Sequence, residues 1–218
     1  MTHARFILMA DVIASGDHAS RPLSTHLKAM VKAVNLHLGK KILSPLTVTL
    51  GDEFQGICDS AVAGVGAMLW LEHYLRQKPL RESPSSSPYQ LRYVLHEGAV
   101  ETPLNRERAH GMLGPGLTLA RRRLEAHRRG APRIQIALTN ETLSRRLQDL
   151  FGVLDTLSQD FKVADYALIE GMMKSTDSES LARRFERHRT SIDRRRRTLK
   201  IDACLTLERL LLDLADSP

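Results

Sequence analysis

"LTVTLGDEFQG", residues 46–56, decides how the first half of this chain is read. Leu46, Thr47, Val48, Thr49 and Leu50 alternate with the period of two and the β-branched composition of a strand. Gly51 supplies a turn, and "EFQGIC" (53–58) reads as a second strand, close enough to the first to form a hairpin. Two carboxylates, Asp52 and Glu53, therefore stand side by side at or next to its tip.

Outward from the hairpin, "RFILMADVI" (5–13) is an apolar run of strand length with Asp11 near its end. "PLSTHLKAMVKAVNLHL" (22–38) places Leu23, Leu27, Met30, Val31, Val34 and Leu38 at helical spacing. "SAVAGVGAMLWLEHYLRQ" (60–77) predicts a well-buried helix capped by Asp59 or Ser60. The proline- and serine-rich "KPLRESPSSSPY" (78–89) predicts a surface loop. Then come a strand in "QLRYVLHEGAVE", a glycine-rich turn in "GMLGPG", a basic helix from about Leu117, a short strand "RIQIALT" and a helix "NETLSRRLQDLF". Alternating strands and helices with a hairpin among them predict an α+β sheet domain over residues 1–159. From about Lys162 only helical patterns occur, which predicts a small all-helical domain over residues 160–218.

With 42% hydrophobic residues, the 218-residue chain can bury one good core or two smaller ones. No apolar run reaches the roughly 18 residues of a membrane span, and Asp11 comes too early for a signal peptide, so the expected location is cytoplasmic. Cys58 and Cys204 lie far apart with no CxxC or Cys/His cluster, so they read as small buried apolar residues.

The net charge of +7 suits an anionic partner. It concentrates in "ARRRLEAHRRGAPR" (120–133) and "RRFERHRTSIDRRRRTLK" (183–200). Asp11 and Asp52 each end a strand-like run. If those strands are neighbours, both carboxylates project into one cleft, where a hard divalent cation such as Mg²⁺ or Mn²⁺ and the backbone carbonyl of Val12 could join them. The plainer alternative is that Asp52 shapes the hairpin turn and Asp11 caps the next segment. His96 and Glu97 end the strand after the loop, where a histidine beside a carboxylate is capable of acid/base work. The plainer reading, which the pattern favours, is that they are partly exposed strand residues.

The order of "FILMADVIAS", "TLGDEFQG", "LRYVLHEGAVE" and "GPGLTLARRRLEA" resembles the catalytic domain of class III nucleotidyl cyclases over roughly residues 5–150. "LGDEF" differs by one letter from the pattern of diguanylate cyclase domains. The resemblance implies a ferredoxin-like sheet with metal bound at Asp11 and Asp52, and with Glu53, Arg122 and Thr118 as expected phosphate- or ligand-binding residues. It puts Arg122 where a phosphate-stabilising arginine stands and Thr118 where an asparagine orients the ribose. Val48 and Gly111 occupy the places of the lysine and aspartate that select the base, so the purine-reading pair is absent. Arg121, Arg123 and Arg128 either extend an anion-binding surface around Arg122 or form the outer face of that helix.

"ADVIAS", "TLGDEFQG" and the helical C-terminal segment are together similar to the SatD family, small bacterial proteins named from an acid-tolerance operon. That resemblance implies a cyclase-like domain joined to a DNA-binding-type tail, and brings no activity with it. "SESLARRFERHRTSIDRRRRT" has the layout of a helix-turn-helix, with Leu181, Ala182 and Phe185 inward on the first helix and Ile192 as an anchor on the second. Glu186 stands at the usual turn glycine, and Arg195 where a second apolar anchor is expected. Arg189, Arg194, Arg195, Arg196, Arg197 and Lys200 would meet DNA. Otherwise they form a solvated basic helix. The leucines of "LTLERLLLDLADSP" form either the tail's core or a homodimer interface. The expected function is a regulator that binds a nucleotide or other phosphate ligand with Mg²⁺ or Mn²⁺ and binds DNA through its tail. The alternative is an active nucleotidyl cyclase or transferase with altered base preference.

Overall fold

The computed structural model describes residues 4–80, 88–126 and 131–217. Most of the loop expected over 78–89, and Arg128, lie outside the described residues. The chain runs β1 (Ala4–Val12), α1 (Ser20–Leu38), β2 (Ile42–Val48), β3 (Glu53–Cys58), α2 (Ala61–Gln77), β4 (Leu91–Ala99), α3 (Pro115–Glu125), β5 (Ile134–Ala137) and α4 (Glu141–Ser158). The four helices α5 (Tyr166–Lys174), α6 (Ser178–Arg184), α7 (Arg189–Thr198) and α8 (Ile201–Ala215) follow. The sheet order is β2-β3-β1-β4-β5. All neighbours are antiparallel except β4 and β5, so β1 to β4 form the β-α-β-β-α-β ferredoxin-like arrangement.

Strand β1 sits in the middle and alternates without exception. Leu8, Ala10 and Val12 enter the larger core under α1, α2 and α4, while Ile7 and Met9 enter the smaller one under α3. The expected hairpin is present, with Thr47 opposite Gln55 and Val48 opposite Phe54. Gly51, at φ +76, makes its turn without the clash a side chain would meet. β2 starts at Ile42, earlier than its alternation indicates, because an edge strand tolerates Pro45 and two register shifts.

Helix α3 approaches β4 with almost no side chain between them. A Cβ built on Gly116 would lie 2.6 Å from the Gly98 carbonyl carbon, and one on Gly98 2.6 Å from the Gly116 Cα. That contact fixes the height of α3 above the sheet.

The tail is tied to the sheet domain by apolar and ionic contacts. Leu211 and Ala215 of α8 belong to the larger core, while Ile201 and Cys204 join Leu168, Ile169, Leu181 and Ile192 in a third cluster. The leucine face that raised the possibility of a second copy is largely covered by α2 and α4 of the same chain; among its leucines only Leu210 is exposed. Glu170 on α5, 4% exposed, accepts hydrogen bonds from Arg76 Nε at 2.7 Å, His73 Nδ1 at 3.0 Å and Gln77 Nε2 at 3.1 Å. His73 Nε2 lies 3.1 Å from Glu208 of α8. Burial works against a charged ring, but the bonds to Glu170 and Glu208 outweigh it and hold the His73 pKa up to about 9. Arg133, at the entrance to β5, forks onto Glu72 of α2 and Asp155 of α4.

Two outcomes are expected in urea denaturation. Gly116→Ala costs about 1–3 kcal/mol because two backbones must separate, whereas Gly152→Ala, with open space around it in α4, is neutral or stabilising by up to about 1 kcal/mol. The second concerns pH. A histidine whose pKa rises from 6.5 to about 9 on folding contributes stability fully below pH 6.5 and loses it as pH rises through 9. The stability gap between wild type and His73→Gln, on the order of 3 kcal/mol at pH 6, therefore closes across that window.

Candidate functional site

Register alone assembles the centre of the site. Asp11 stands opposite Glu53 on one side and opposite Arg92 on the other, so three strands bring these side chains into one row on the α3 face. Arg92 donates from Nε to Asp11 Oδ1 at 2.9 Å and from Nη2 to Oδ2 at 2.6 Å. Both Asp11 oxygens are thus taken by a bidentate guanidinium. Glu53 is held the same way: Arg121 of α3 approaches Oε1 at 2.8 Å and Oε2 at 3.0 Å, and also reaches Gln55 Oε1 at 3.3 Å. Thr49 Oγ1 adds a donor to Glu53 Oε1 at 3.1 Å.

Asp52 sits at the hairpin tip, and its carbonyl accepts the Val12 amide at 3.1 Å, which locks the tip against the end of β1. Burial raises the Asp11 pKa; Arg92 pulls it down, and the charges of Asp52 and Glu53 push it up again. The expected neighbours Asp11, Asp52, Glu53 and Val12 are therefore together. Val12 itself is buried, 2% exposed.

Around the end of the sheet, between the β1–α1 connection and the hairpin, lies a cleft of about 490 Å³ lined by Ser15, Gly16, His18, Ser20, Leu23, Ser24, Leu50, Gly51 and Asp52. Helix α1 starts there after Ala19, whose side chain cannot cap it. Its positive dipole end therefore faces a cleft of mixed lining, with serine hydroxyls beside the Asp52 carboxylate and the side chains of Leu23 and Leu50.

The other candidates fall elsewhere. Arg122 is exposed, and Arg121, one position earlier, is the arginine that reaches the carboxylates. Helix phase is the reason: Leu117, Ala120 and Leu124 face the sheet, which carries residue 121 along their edge and turns 122 outward. Thr118 is also exposed and donates to the Gly114 carbonyl at 3.3 Å. His96 and Glu97 are not beside the cleft. β4 runs antiparallel to β1, so Arg92 meets Asp11 and His96 lies further along, opposite Ile7. His96 is 7% exposed, its Nδ1 donates to the Ala137 carbonyl at 3.0 Å, and burial lowers its pKa. Glu97 accepts from the Thr139 amide.

In the tail, α6 ends at Arg184 and α7 begins at Arg189, a shorter first helix than the sequence indicates. Glu186, the residue at the turn-glycine position, adopts φ +52. Arg195 pairs with Asp165. Arg196, with its side chain 11% exposed, donates to the Met172 and Ser175 carbonyls and pairs with Asp202. These two of the six expected DNA contacts are therefore spent holding α7 to the tail's own core. Arg194 and Arg197 are exposed, Arg189 lies 3.9 Å from Asp193, and Lys200 lies 3.9 Å from Asp160.

With the hairpin, the aspartates and the tail in place, comparison with known proteins is informative. The SatD family model matches residues 6–195. The chain belongs to the SatD family. No curated protein matches it. Among solved structures it is similar to the catalytic core of a rhodopsin-guanylyl cyclase with converted specificity in complex with ATPalphaS. The identity is 15%, over 62% of this chain and 77% of that one, with a TM-score of 0.45. It is also similar to the guanylate cyclase domain of RhGC from Catenaria anguillulae in complex with GTP, at 16% identity over 62% and 78%, TM-score 0.45. The adenylate/guanylate cyclase/hydrolase from Silicibacter pomeroyi is 18% identical over 62% and 76%, TM-score 0.44.

Mg²⁺ takes oxygen ligands from carboxylates that are open to it. Here both oxygens of Asp11 and both of Glu53 already accept from arginines. Among the described residues no group of three or more His, Cys, Asp or Glu side chains is gathered as a metal site. As the side chains stand, the row does not fit a divalent cation.

Removing the Arg92 charge leaves Asp11 half-buried with two oxygens unsatisfied. Arg92→Gln is expected to cost about 1–3 kcal/mol in chemical denaturation, while Arg122→Gln at an exposed position changes stability by less than about 0.5 kcal/mol.

Proposed function

We propose that this protein binds a phosphate-bearing ligand, such as a nucleotide, in the cleft at the end of its sheet, and binds DNA through its basic helical tail. It is a ligand-responsive binding protein rather than a catalyst. The observation that carries the reading is the cleft of about 490 Å³ between the β1–α1 connection and the β2–β3 hairpin, where Ser15, Ser20, Ser24 and the α1 N-terminus contribute to the lining alongside Leu23, Leu50 and Asp52. The absence of a lysine at Val48 and an aspartate at Gly111 supports binding without purine turnover.

In this reading residues 1–159 hold the ligand and residues 160–218 carry the DNA surface. Residues 183–200 contain nine Lys or Arg against two Asp or Glu, and Arg187, Arg189, Arg194, Arg197 and Lys200 are exposed. α8 and the Glu170 network join the two parts, and in this reading they are the route by which ligand binding would reach the tail.

Thermal denaturation with each nucleoside triphosphate and with inorganic tripolyphosphate tests the cleft. At about a hundred times its Kd a bound ligand adds ~2.7 kcal/mol of stability, and Ser20→Glu, which puts a negative charge in the cleft, removes that gain. Absence of stabilisation by every probe would overturn the ligand reading. On DNA, the slope of log affinity against log salt should shrink by about one for each of Arg194→Gln and Arg197→Gln. DNA affinity indifferent to both would remove the tail from the interface.

A further inference from the structure

On the opposite face of the sheet from the carboxylate row, an open groove of about 460 Å³ runs between α1 and the edge strand β2. Val31 of α1 and Leu46, Thr47 and Val48 of β2 line its inner part; Val31 and Leu46 are buried, Thr47 and Val48 half-buried. Lys28, Lys32 and Leu36, each four residues from the next, form one stripe along α1 at its rim, and all three are exposed. Leu36 is 75% exposed, more than any other large apolar side chain among the described residues. The charge here is one-sided. From Ser20 to Gly51 the chain carries Arg21, Lys28, Lys32, Lys40 and Lys41 and no Asp or Glu. Among the described residues neither Lys28 nor Lys32 takes part in an ion pair.

Apolar walls with a lysine rim restrict what fits. A phosphate backbone gains nothing from Val31, Leu46 and Val48, and the groove offers it no arginine fork. Strand addition to β2 is blocked as well. The Asn35 side chain already donates to the Leu46 carbonyl and accepts the Leu46 amide, each at 2.9 Å, and Pro45 has no N–H to give. What remains is recognition through side chains, with apolar groups in the groove and carboxylates at the rim. We propose that this groove docks an acidic amphipathic helix of a partner protein, whose apolar side chains pack on Val31, Leu36 and Val48 while its carboxylates meet Lys28 and Lys32. The stripe from Lys28 to Leu36 is ~12 Å long, so about two turns of a partner helix cover it. Apolar contact supplies the affinity; the exposed lysines steer the approach and reject basic partners. The groove shares no lining residue with the cleft at the hairpin and none with the tail, so it stands apart from the ligand and DNA readings.

A displayed library of random short peptides, selected against the full chain, tests this without presupposing the partner. Enriched sequences should combine Asp or Glu with Leu, Ile, Phe or Trp at helical spacing. A synthetic copy of the most enriched sequence then serves as the probe in fluorescence anisotropy and stopped-flow. Leu36→Asp should weaken its binding at least about tenfold, as loss of an apolar anchor does, whereas Leu36→Met should bind like the wild type. Lys28→Glu combined with Lys32→Glu should slow association and flatten its dependence on salt. These substitutions fall on exposed side chains, so the thermal melting of each variant should match the wild type. A selection that yields no binder, binders that are basic or uncharged, or binders indifferent to Leu36→Asp would each overturn the inference. Sedimentation of the chain alone, and its binding to a DNA duplex and to phosphatidylserine vesicles, are measured with the same variants. Self-association, duplex binding or vesicle binding that is lost in Leu36→Asp would assign the groove to a second copy, a nucleic acid or a membrane surface, and would overturn it likewise.

Discussion

The register of β1 between β3 and β4 is the constraint on which the site depends. A strand hydrogen-bonded on both sides and buried on both faces has one workable alignment, because a slip by one residue would exchange its two sets of side chains. Leu8, Ala10 and Val12 would turn toward α3, and Asp11 would point into the larger core. Burial of the apolar residues thus places Glu53, Asp11 and Arg92 in line, with no contribution from the charges themselves. The ion pairs form where packing has already put them, which is why a half-buried carboxylate is tolerated at the end of the central strand.

A second set of charges does a different task. Arg133, Glu72 and Asp155 join β5 to two helices, and His73, Arg76, Glu170 and Glu208 join α2 to the tail. Breaking such a half-buried network costs more than breaking a surface pair, since each removed partner leaves another group unsatisfied. The helices after residue 160 are consequently braced against α2 and α4 rather than hung from a flexible linker.

Local chemistry made much of this readable from sequence. Alternation located β1 and the hairpin, helical spacing located α1 and α2, and Asp11 and Asp52 at strand ends were close together as expected. Relations between distant segments were not readable. Arg92 is one arginine among many until register sets it opposite Asp11. Arg121 and Arg122 are neighbours in a run of three, and only the phase of α3 against the sheet separates them. Arg195 and Arg196 look like solvated charges in a basic run, yet acceptors on other elements draw them inward. The leucines of α8 announce burial without saying against what. The surface that receives them is made by α2 and α4.

The packing of α8 on α2 also bears on how the chain is made. Leu211 and Ala215 complete a core whose other members lie between Leu8 and Phe151. During synthesis from the N-terminus, α2 must wait for everything between Gln77 and Ile201 before its last apolar neighbours exist. Contacts of such long sequence separation form slowly, and unfinished apolar faces invite association with other chains. A nascent or truncated form ending before α8 therefore presents an open apolar groove on α2 and α4.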